Sequence, residues 1–537
     1  MARLAASSPS EPFDVLVVGA GINGAVSAAC LAGRGARVAL VDRGDFAGFT
    51  SQESSNLAWG GIKYMESFEL GLVRKLCVSR NHLIRSYPST VREIRFLAVH
   101  QRGFRHGLWK LVLGTFLYWL LGSFFTKRPR RHSVESLAST EPILELSTSD
   151  GGFEYSDAYL HDNDARFVWS FIRSAMDNGC AVANYVEVTD AKYEGGIWRV
   201  EARDVETGEA LTVHARSFVN ACGPFVDALN AKVGAKTRHR HVFSKGIHLI
   251  VPRLTKQMRV LTFFADDGRP FFVIPMGPCS SIGTTDTPVD EPYTEPTDDD
   301  RRFVLDNVNK RLRLKKPLDM SDVVAERCGV RPLAVAAGGS EGTDWMQLSR
   351  KHVVEVDAER RQVSIFGGKL TDCLNVGDEV ADALRDLDIA QPNPRARWYG
   401  EAPDEVRDEF LQKAAALGLD EMTSPRSSEA LTTRLWRRYG AEALPMLDAI
   451  REDRSMAEVI IEGAEYLRCE IAHAARREMI VELDDFLRRR SKIALVIGRD
   501  ELEDAPGLRE ACIIFFGDRA DAKMKAYFDA HPSSAKS

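Results

Sequence analysis

One short segment near the start of the chain constrains the fold more than any other. Residues 14–18 read DVLVV, a short run rich in β-branched residues, and Gly19, Gly21 and Gly24 follow it in the spacing G-x-G-x-x-G. A stretch of small, helix-compatible residues comes next, and a second apolar run ends at Asp42. This order of strand, glycines, helix, strand and acid is that of a βαβ unit in a buried parallel sheet.

Each part of this unit has a physical role in binding a dinucleotide. Gly19 permits the tight turn, Gly21 lets the backbone approach a pyrophosphate, and Gly24 allows close packing of the helix on the strand. The helix N-terminus supplies partial positive charge, and Asp42 can accept hydrogen bonds from an adenosine ribose. Asn23, inside the same turn, is assigned to the cofactor site with them. The unit predicts a dinucleotide site but does not by itself separate FAD from NAD.

Further segments have the composition of cofactor-binding turns. The loop at 50–64 is dense in hydroxyls that can donate to phosphate oxygens and ends in two glycines that let the backbone approach a ring: Thr50, Ser51, Ser54, Ser55, Gly60 and Gly61. The alternative for this loop is a polar surface segment without a ligand. The other predicted cofactor residues end strands or follow them, where N–H groups can face an anion or a flavin oxygen: Val188, Gly223, Gly367, Gly368, Leu370 and Thr371.

Composition excludes several classes of protein. The chain has 537 residues with 28% charged residues and a net charge of −6, which is ordinary for a large globular protein of several domains. The mild acidity argues against a broad basic surface, so we predict no nucleic-acid partner. The nine cysteines are scattered without a CxxC pair, which favours a reduced intracellular compartment and neither a disulfide framework nor a metal site.

The segment 102–131 departs from this average because it is both basic and apolar. It has no charge from Leu111 to Thr126, which is 16 residues, whereas a helix needs about 20 to span a bilayer. Its aromatic residues suit the headgroup level, and its flanking Arg and Lys residues suit anionic lipid. We therefore predict a monotopic anchor lying in one leaflet. The alternative is a buried helix or hairpin in a soluble domain.

Taken together, the motifs resemble those of the FAD-dependent, membrane-associated (respiratory) glycerol-3-phosphate dehydrogenase family, whose fold is similar to that of D-amino-acid oxidase. The resemblance covers about residues 13–500 and is carried, in the family's order, by VVGAGINGA, TSQESSNLAWGGIKYME, GGFEYSDAYLHDNDAR, VNACGPFVD, KGIHLIVPR, SIGTTDTP, GVRPL and FGGKLT. It implies an α/β protein with a Rossmann-like FAD-binding domain, a mainly antiparallel β substrate domain and a C-terminal α-helical domain.

The predicted domain boundaries follow from these motifs. The FAD-binding domain is expected to be discontinuous, with a membrane-facing insertion, a substrate domain and a helical tail after it. The respective ranges are 12–75, 155–235 and 335–390 for the FAD-binding domain, 76–154 for the insertion, 236–334 for the substrate domain and 395–530 for the helical domain.

The resemblance also implies residues on the substrate side. Lys63 and Tyr64 match the family's Arg-Tyr pair near the substrate phosphate, and His248, Arg331 and Lys369 match residues beside the flavin ring. This agrees with the chemistry, because oxidation of a secondary alcohol needs a base, while cations hold a phosphate and stabilise negative charge. Taken from the residues alone, His248 could instead be a satisfied strand histidine and Arg331 a structural ion pair.

Several positions depart from the family's pattern. Where the family usually has Lys, His and Arg in S-K-L-I-H-G-G-L-R-Y, this chain has Asn56, Trp59 and Lys63. The family's GGKLTTYR is GGKLTDCL here, with changes at 372–374. An Arg-to-Lys change at a phosphate clamp keeps the charge but removes bidentate geometry. The reaction type is thus better determined than the substrate, and another phosphorylated polyol stays open.

The resemblance implies oxidation of sn-glycerol 3-phosphate to dihydroxyacetone phosphate, with electrons passed to a membrane quinone. The expected location is the cytoplasmic face of the inner membrane, held by anionic lipids, and a homodimer is also expected. Two alternatives of other kinds remain at this point. One is an oxidase of the same fold that acts on an amine or amino acid with oxygen as acceptor, and the other is a non-catalytic flavin-binding protein.

Overall fold

Two large β-sheets and a C-terminal set of helices make up the protein. The computed structural model describes residues 1–265, 268–337, 351–425, 427–461 and 463–532. The strands are β1 (Phe13–Val18), β2 (Val38–Val41), β3 (Leu57–Ala58), β4 (Val91–Gln101), β5 (Arg130–His132), β6 (Ser149–Leu160), β7 (Ala181–Ala183), β8 (Val186–Glu194), β9 (Ile197–Asp204), β10 (Ala210–Asn220), β11 (His239–Pro252), β12 (Arg259–Phe264), β13 (Pro270–Met276), β14 (Cys279–Gly283), β15 (Thr287–Val289), β16 (Ala325–Ala336), β17 (Val353–Asp357), β18 (Gln362–Phe366), β19 (Val459–Ile461) and β20 (Tyr466–Leu467).

The helices are divided between the sheets and the C-terminal region. They are α1 (Ala2–Ala5), α2 (Ile22–Gly33), α3 (Leu70–Ser86), α4 (Leu108–Leu121), α5 (Val134–Thr140), α6 (Asp164–Asp177), α7 (Val226–Lys232), α8 (Asp298–Arg311), α9 (Cys373–Arg385), α10 (Asp404–Leu417), α11 (Leu431–Tyr439), α12 (Ala443–Glu452), α13 (Arg468–Arg477), α14 (Ile493–Val496), α15 (Arg499–Glu503), α16 (Pro506–Phe516) and α17 (Ala520–Ala530). A short π-helix spans Asp485–Arg490.

The first sheet contains the predicted βαβ unit. Its strand order is β17-β18-β10-β1-β2-β7, and β1 runs parallel to both β2 and β10. Val15 and Val17 pack under helices α2, α6 and α9, whereas Leu16 packs on the opposite face. Because β1 is covered on both faces, its sequence is a continuous apolar run without polar alternation. The predicted Rossmann-like domain is confirmed.

The second sheet is mainly antiparallel, as predicted for the substrate domain. Its order is β15-β11-β14-β13-β12-β4-β6-β3, with β16 beside β11 and β5 beside β6, and only β4 and β12 are parallel neighbours. Leu249, Leu261 and Val273 on one face pack against Val304 and Val308 of α8. This sheet places β11 and β16 together along their length.

The membership of this sheet differs from the predicted domain boundaries. β4 and β6 pair with each other along their whole length and, through β12, join β11–β16 in one sheet. Residues 91–101 and 149–154, predicted to belong to the insertion, and residues 155–160, predicted to belong to the FAD-binding domain, are therefore part of the second sheet. β3, predicted to lie in the FAD-binding domain, pairs with β6 in the same sheet. Antiparallel pairing between distant segments leaves no local signal in the sequence.

Helix α4 forms the centre of the basic, apolar segment. Its inner side packs on the second sheet through Val112 and Tyr118, and the Tyr118 hydroxyl donates to Asp157. Its outer side exposes a row of large apolar side chains, called here the α4 apolar face: Trp109, Leu113, Leu117, Leu120 and Phe124. Among the residues that the structure describes, no helix has the length and apolar character needed to cross a bilayer.

The C-terminal helical domain is attached to the rest of the protein by buried ion pairs. Arg166 of α6 donates from Nη1 to both carboxylate oxygens of Glu478, each at 2.7 Å. Arg490 donates to both oxygens of Asp45 at 2.7 and 2.8 Å. The basic run at 488–490 is thus a docking surface between domains. Since these charges have left water, each depends on its partner.

The Arg166–Glu478 pair generates a test of this attachment. We expect Glu478→Ala to lower the free energy of unfolding by about 3–5 kcal/mol, because it leaves a buried guanidinium unpaired. Urea denaturation followed by circular dichroism measures the change. The control is Asp529→Ala, which removes an exposed partner of Lys525 and should cost less than about 0.5 kcal/mol. Equal midpoints for the two variants would contradict the docking role.

Candidate active site

A large cleft opens where the parallel strands of the first sheet end. Its volume is about 690 Å³, and its walls come from the turns after β1, β2, β10 and β18 and from β8. Ten of the predicted cofactor residues line it: Gly19, Gly21, Asn23, Asp42, Thr50, Ser51, Val188, Gly223, Gly367 and Gly368. The carboxyl ends of parallel strands are the usual ligand site of such a sheet.

The glycine-rich turn after β1 leaves no space for side chains at two positions. Gly19 has φ +95°, and a Cβ there would lie 2.6 Å from the Ala221 carbonyl oxygen. A Cβ on Gly24 would lie 1.8 Å from the Gly19 oxygen, so α2 packs directly on the end of β1. Gly21, by contrast, lines the cleft at the start of α2 and meets only the Ser51 hydroxyl. Backbone N–H groups at this helix end can therefore meet a pyrophosphate.

Asp42 is held at the end of β2 by backbone donors. Its carboxylate accepts from the N–H groups of Ala20 at 2.6 Å and Gly44 at 3.0 Å. Burial raises the pKa of Asp42 to about 6, with the two N–H donors acting in the opposite direction. The carboxylate is thus ionised at neutral pH and positioned in the cleft to accept hydrogen bonds from a ribose.

A second glycine turn, after β18, lies next to the first and also lines the cleft. Gly367 and Gly368 have φ of +63° and +121°, values that side chains rarely adopt. The Asn23 amide donates to the Gly367 carbonyl oxygen at 2.9 Å, and the Gly367 N–H donates to His241 Nε2 at 3.0 Å. Asn23 therefore connects the turns after β1 and β18, which brings residues more than 340 positions apart into one site.

The remaining predicted cofactor residues lie outside the cleft lining. Gly24 serves helix packing, the Ser54 carbonyl accepts from Arg327, and the Gly60 N–H donates to Asp157. Thr371 donates to the Trp59 carbonyl oxygen. The last three also lie outside the lining of the cleft. Ser55 is half-buried in its loop, and Gly61 has φ +80° next to Tyr64. Leu370 packs against the core under the first sheet.

Sequence reasoning missed several residues of the cleft. Arg43 stacks on the Phe225 ring at 4.0 Å and donates to the Tyr293 hydroxyl, so a loop of the substrate domain reaches the cleft. Arg489 comes to the lining from the C-terminal helical domain. The basic run at 488–490 was the only available signal for Arg489, and its position next to the cleft depends on the docking of that domain.

The predicted substrate-side residues form two groups. Lys63 and Tyr64 lie on a short 3-10 helix, and Lys369 Nζ lies 4.0 Å from the centre of the Tyr64 ring. Arg331 lies on β16, where its guanidinium donates to Thr284 Oγ1 at 3.1 Å and to Asp286 Oδ1 at 3.3 Å. Its side chain crosses Gly246 of β11, two residues before His248, since a Cβ on Gly246 would lie 2.0 Å from Arg331 Nη2.

His248 is completely buried on β11 without a hydrogen bond from either ring nitrogen to the described residues. Burial lowers the pKa of His248 to about 3, with the charges of Arg331 and Arg327 contributing in the same direction. The imidazole is therefore neutral and able to accept a proton. A buried polar group without a partner is costly, so a ligand that supplies one would be favoured.

Comparisons with known proteins agree with this architecture. Residues 14–343 match the family model described as FAD dependent oxidoreductase, and residues 399–510 match the C-terminal domain of alpha-glycerophosphate oxidase. The glycerol-3-phosphate dehydrogenase structure from Bacillus halodurans, complexed with FAD, superposes with a TM-score of 0.72 at 24% identity, covering 98% of this chain and 95% of that chain.

Curated relatives span nearly the whole chain. The D-erythritol 1-phosphate dehydrogenase of Brucella abortus is 30% identical over 493 residues, covering 90% of this chain and 94% of the relative. The aerobic glycerol-3-phosphate dehydrogenase of Escherichia coli is 29% identical, covering 91% and 96%. Glycerol-3-phosphate dehydrogenase 2 of Mycobacterium bovis is 32% identical, covering 90% and 82%.

The chain therefore belongs to the family of FAD-dependent oxidoreductases that includes the glycerol-3-phosphate dehydrogenases, and its cofactor is FAD. The residues of the cleft fit this cofactor. Gly21 and the start of α2 offer backbone donors for the pyrophosphate, Asp42 offers acceptors for the ribose, and the Gly367–Gly368 turn offers an approach without side chains for the flavin.

Gly21 lines the cleft with space beside it, whereas Gly24 is packed against the Gly19 carbonyl, and this difference provides a test of FAD binding in the cleft. We expect Gly21→Val to weaken FAD binding by on the order of 100-fold, the equivalent of one or two hydrogen bonds to a charged group, because its side chain would occupy the place of the pyrophosphate. Fluorescence titration of the apoprotein with FAD measures the affinity. Gly24→Val should instead prevent folding, since its side chain would collide with the Gly19 carbonyl. Unchanged FAD affinity in Gly21→Val would contradict the assignment.

Proposed function

We propose that this chain oxidises sn-glycerol 3-phosphate to dihydroxyacetone phosphate and passes the electrons to a membrane quinone, at the cytoplasmic face of the inner membrane. The observation that carries the proposal is the buried His248, whose ring nitrogens have no hydrogen-bond partner among the described residues, with Arg331 packed alongside it on the neighbouring strand. FAD, when bound, accepts the hydride from the substrate carbon. The names of the relatives, among them an erythritol phosphate dehydrogenase, support a phosphorylated polyol as substrate.

His248 is the proposed base that takes the hydroxyl proton. Its neutral imidazole has two nitrogens without a hydrogen-bond partner in the described part of the chain. A phosphate dianion entering the site adds negative charge, which raises the pKa of His248 towards the working pH. The imidazole is then a stronger base, and it becomes charged only by taking the substrate's proton. General base catalysis of this kind typically contributes about 10²–10⁴-fold to the rate.

The cations of the site have two proposed tasks. Lys63, Tyr64 and Lys369 would hold the substrate phosphate, because they lie together and supply ammonium and hydroxyl donors. Arg331 would stabilise the negative charge that develops on the substrate oxygen as His248 takes the proton. With Lys instead of Arg at position 63, the clamp keeps its charge and tolerates more than one phosphate position.

The α4 apolar face is the proposed membrane contact. Trp109 and Leu113 are 66% and 71% exposed, and Leu120 and Phe124 follow on the same face at 50% and 54%. The Arg131 guanidinium lies 4.5 Å from the Trp109 ring, and Arg128 lies 5.5 Å from the Phe116 ring, so positive charge borders the apolar surface. This combination supports peripheral binding to one leaflet with anionic lipid. The homodimer stays a prediction.

One experiment separates the proposed function from its alternatives. The holoenzyme is purified in detergent and mixed without oxygen with sn-glycerol 3-phosphate, erythritol phosphate, glycerol or an amino acid, while flavin absorbance is recorded. We expect fast reduction by a polyol phosphate, most efficiently by sn-glycerol 3-phosphate, and reoxidation by a quinone analogue. Faster reduction by erythritol phosphate would move the substrate assignment to the longer polyol. Reduction by an amino acid alone, or by none, would contradict the proposal.

Arg331 offers a direct test of the substrate side. We expect Arg331→Ala to lower kcat/KM by on the order of 10²–10³-fold while FAD stays bound, because it removes a cation at the developing charge. Arg313→Ala, which removes an exposed arginine paired with Glu145, is the control and should keep full activity. Loss of FAD from Arg331→Ala would place this residue in the cofactor site or the fold instead.

The exposed leucines of the α4 apolar face provide a test of the membrane contact. We expect Leu113→Glu combined with Leu120→Glu to weaken binding to phosphatidylcholine–phosphatidylglycerol vesicles by on the order of 100-fold or more, since two leucine side chains lose their burial in the bilayer. Vesicle sedimentation measures the bound fraction. The control is Ile513→Glu, a change at an apolar residue of α16 that is about as exposed as Leu120. Equal loss in both variants would contradict the role of the α4 apolar face.

A further inference from the structure

The loop at 50–56, which carries one of the departures from the family's pattern, packs along β16. The Thr50 hydroxyl donates to the Val330 carbonyl oxygen at 2.8 Å. A Cβ on Gly329 would lie 2.8 Å from Glu53 Cβ, so the loop touches the strand without an intervening side chain. The loop then ends at Asn56, next to Arg327 of the same strand.

Asn56 is completely buried, and each of its polar groups has a partner. Its amide nitrogen donates to the carbonyl oxygens of Leu160 and Asp162, at 3.2 and 3.0 Å. Its amide oxygen accepts from Arg327 Nη1 at 2.6 Å. The residue that stands where the family usually has a lysine therefore faces an arginine from another strand. The positive charge lost at position 56 is present again at Arg327.

Arg327 uses only part of its donor capacity within the protein. Nη1 donates to the Ser54 carbonyl oxygen and to Asn56, both at 2.6 Å, and lies 3.9 Å from an Asp164 oxygen. Nε and Nη2 have no hydrogen-bond partner among the described residues, although the side chain is completely buried. A guanidinium stays charged in proteins, so these buried donors require an acceptor.

The open donors of Arg327 lie beside the proposed base. His248 and Arg327 are direct partners in the register of β11 and β16, and such neighbours on one face of a sheet are about 5 Å apart at Cβ. Both ring nitrogens of His248 are also without partners among the described residues. On the other side of His248, β14 contributes Gly283, which has no charge. The charges that act on His248 are those of Arg331 and Arg327.

We propose that Arg327 is a further catalytic residue, which donates from Nε and Nη2 to the substrate oxygen at the carbon that is oxidised. The identity of this ligand rests on the proposed function. As His248 takes the hydroxyl proton, the O–H bond breaks and the oxygen becomes more negative. The C–H bond at the same carbon breaks as well, its hydride would pass to FAD when bound, and the oxygen ends as the carbonyl oxygen of the product. Arg327 stabilises that oxygen in both forms, and Asn56 orients the guanidinium by accepting from Nη1.

Product binding and a charge swap test this assignment. The oxidised holoenzyme is titrated with dihydroxyacetone phosphate, and the shift of the flavin spectrum gives Kd without turnover. We expect Arg327→Met to raise this Kd and to lower the rate of flavin reduction, each by on the order of 10- to 100-fold. The double variant Asn56→Lys/Arg327→Met places a positive charge at position 56 instead of 327, and it should recover most of the lost affinity and reduction rate. Asn56→Lys alone should improve neither quantity over wild type.

The pH profile separates this role from a structural one. Removing Arg327 removes a positive charge that lowers the pKa of His248, so the acidic limb of kcat/KM should move to higher pH in Arg327→Met. Arg434→Lys, a change at a buried arginine of the C-terminal domain, controls for the loss of a buried guanidinium and should leave Kd and the pH profile unchanged.

Three outcomes would overturn the assignment. The first is a lower melting temperature in Arg327→Met with unchanged Kd, reduction rate and pH profile, and the second is loss of FAD from a folded Arg327→Met protein. Failure of the charge swap to recover Kd would overturn it as well. Failure of the wild-type holoenzyme to bind dihydroxyacetone phosphate or to be reduced would instead contradict the proposed function itself.

Discussion

The whole site depends on backbone contacts at Gly19 that leave no space for side chains. At this turn the end of β1, the first turn of α2 and the segment after β10 are packed so closely that a single added Cβ atom would collide with a neighbouring backbone. That contact fixes the direction of α2, and with it the N–H groups at the helix start and the position of Ser51, which accepts from the Ile22 N–H. Asp42 is held by Ala20 of the same turn. A change at Gly19 or Gly24 would therefore act on every wall of the cleft at once.

Charged contacts then join the two sheets and the helical tail around this turn. Asp45, three residues after Asp42, binds Arg489 and Arg490, and Glu53 binds Arg488. The loop between β2 and β3 is thus fixed by the C-terminal domain on one side and by β16 on the other. This explains how the tail adds Arg489 to the cleft although it lies far from the glycine motif in sequence. Buried pairs of this kind tolerate no loss of one partner.

The sequence predicts those parts of the structure that depend on residues close together along the chain. The continuous apolar run of β1 and its glycines predict a buried parallel strand and a dinucleotide turn, and both are present. The pairing of β4 with β6 was not predictable, because antiparallel partners separated by two helices and a strand leave no periodic signal. Tyr118 shows the same limit: its aromatic character suited a membrane interface, but its hydroxyl is buried against Asp157. The exposed residues of α4 include Leu113 and Leu120 instead.

The departures from the family's pattern gain a physical meaning only in three dimensions. Asn56 had no explanation in the sequence, since its partner Arg327 is 271 positions away. In the fold the two are in contact, next to His248, and the proposed chemistry uses all three. His248 and Arg327 have nitrogens that no described residue meets, and together with the clamp of lysines they would suit an alcohol that carries a phosphate.

The most direct test of this account is flavin reduction by sn-glycerol 3-phosphate deuterated at C2. A saturating concentration is mixed without oxygen with the holoenzyme, and the rate of flavin bleaching is compared with that for the undeuterated substrate. If the hydride leaves C2 as His248 takes the proton, bleaching is several-fold slower with deuterium. A flavin that stays oxidised with both substrates, or that is reduced at the same rate by both, would contradict the account.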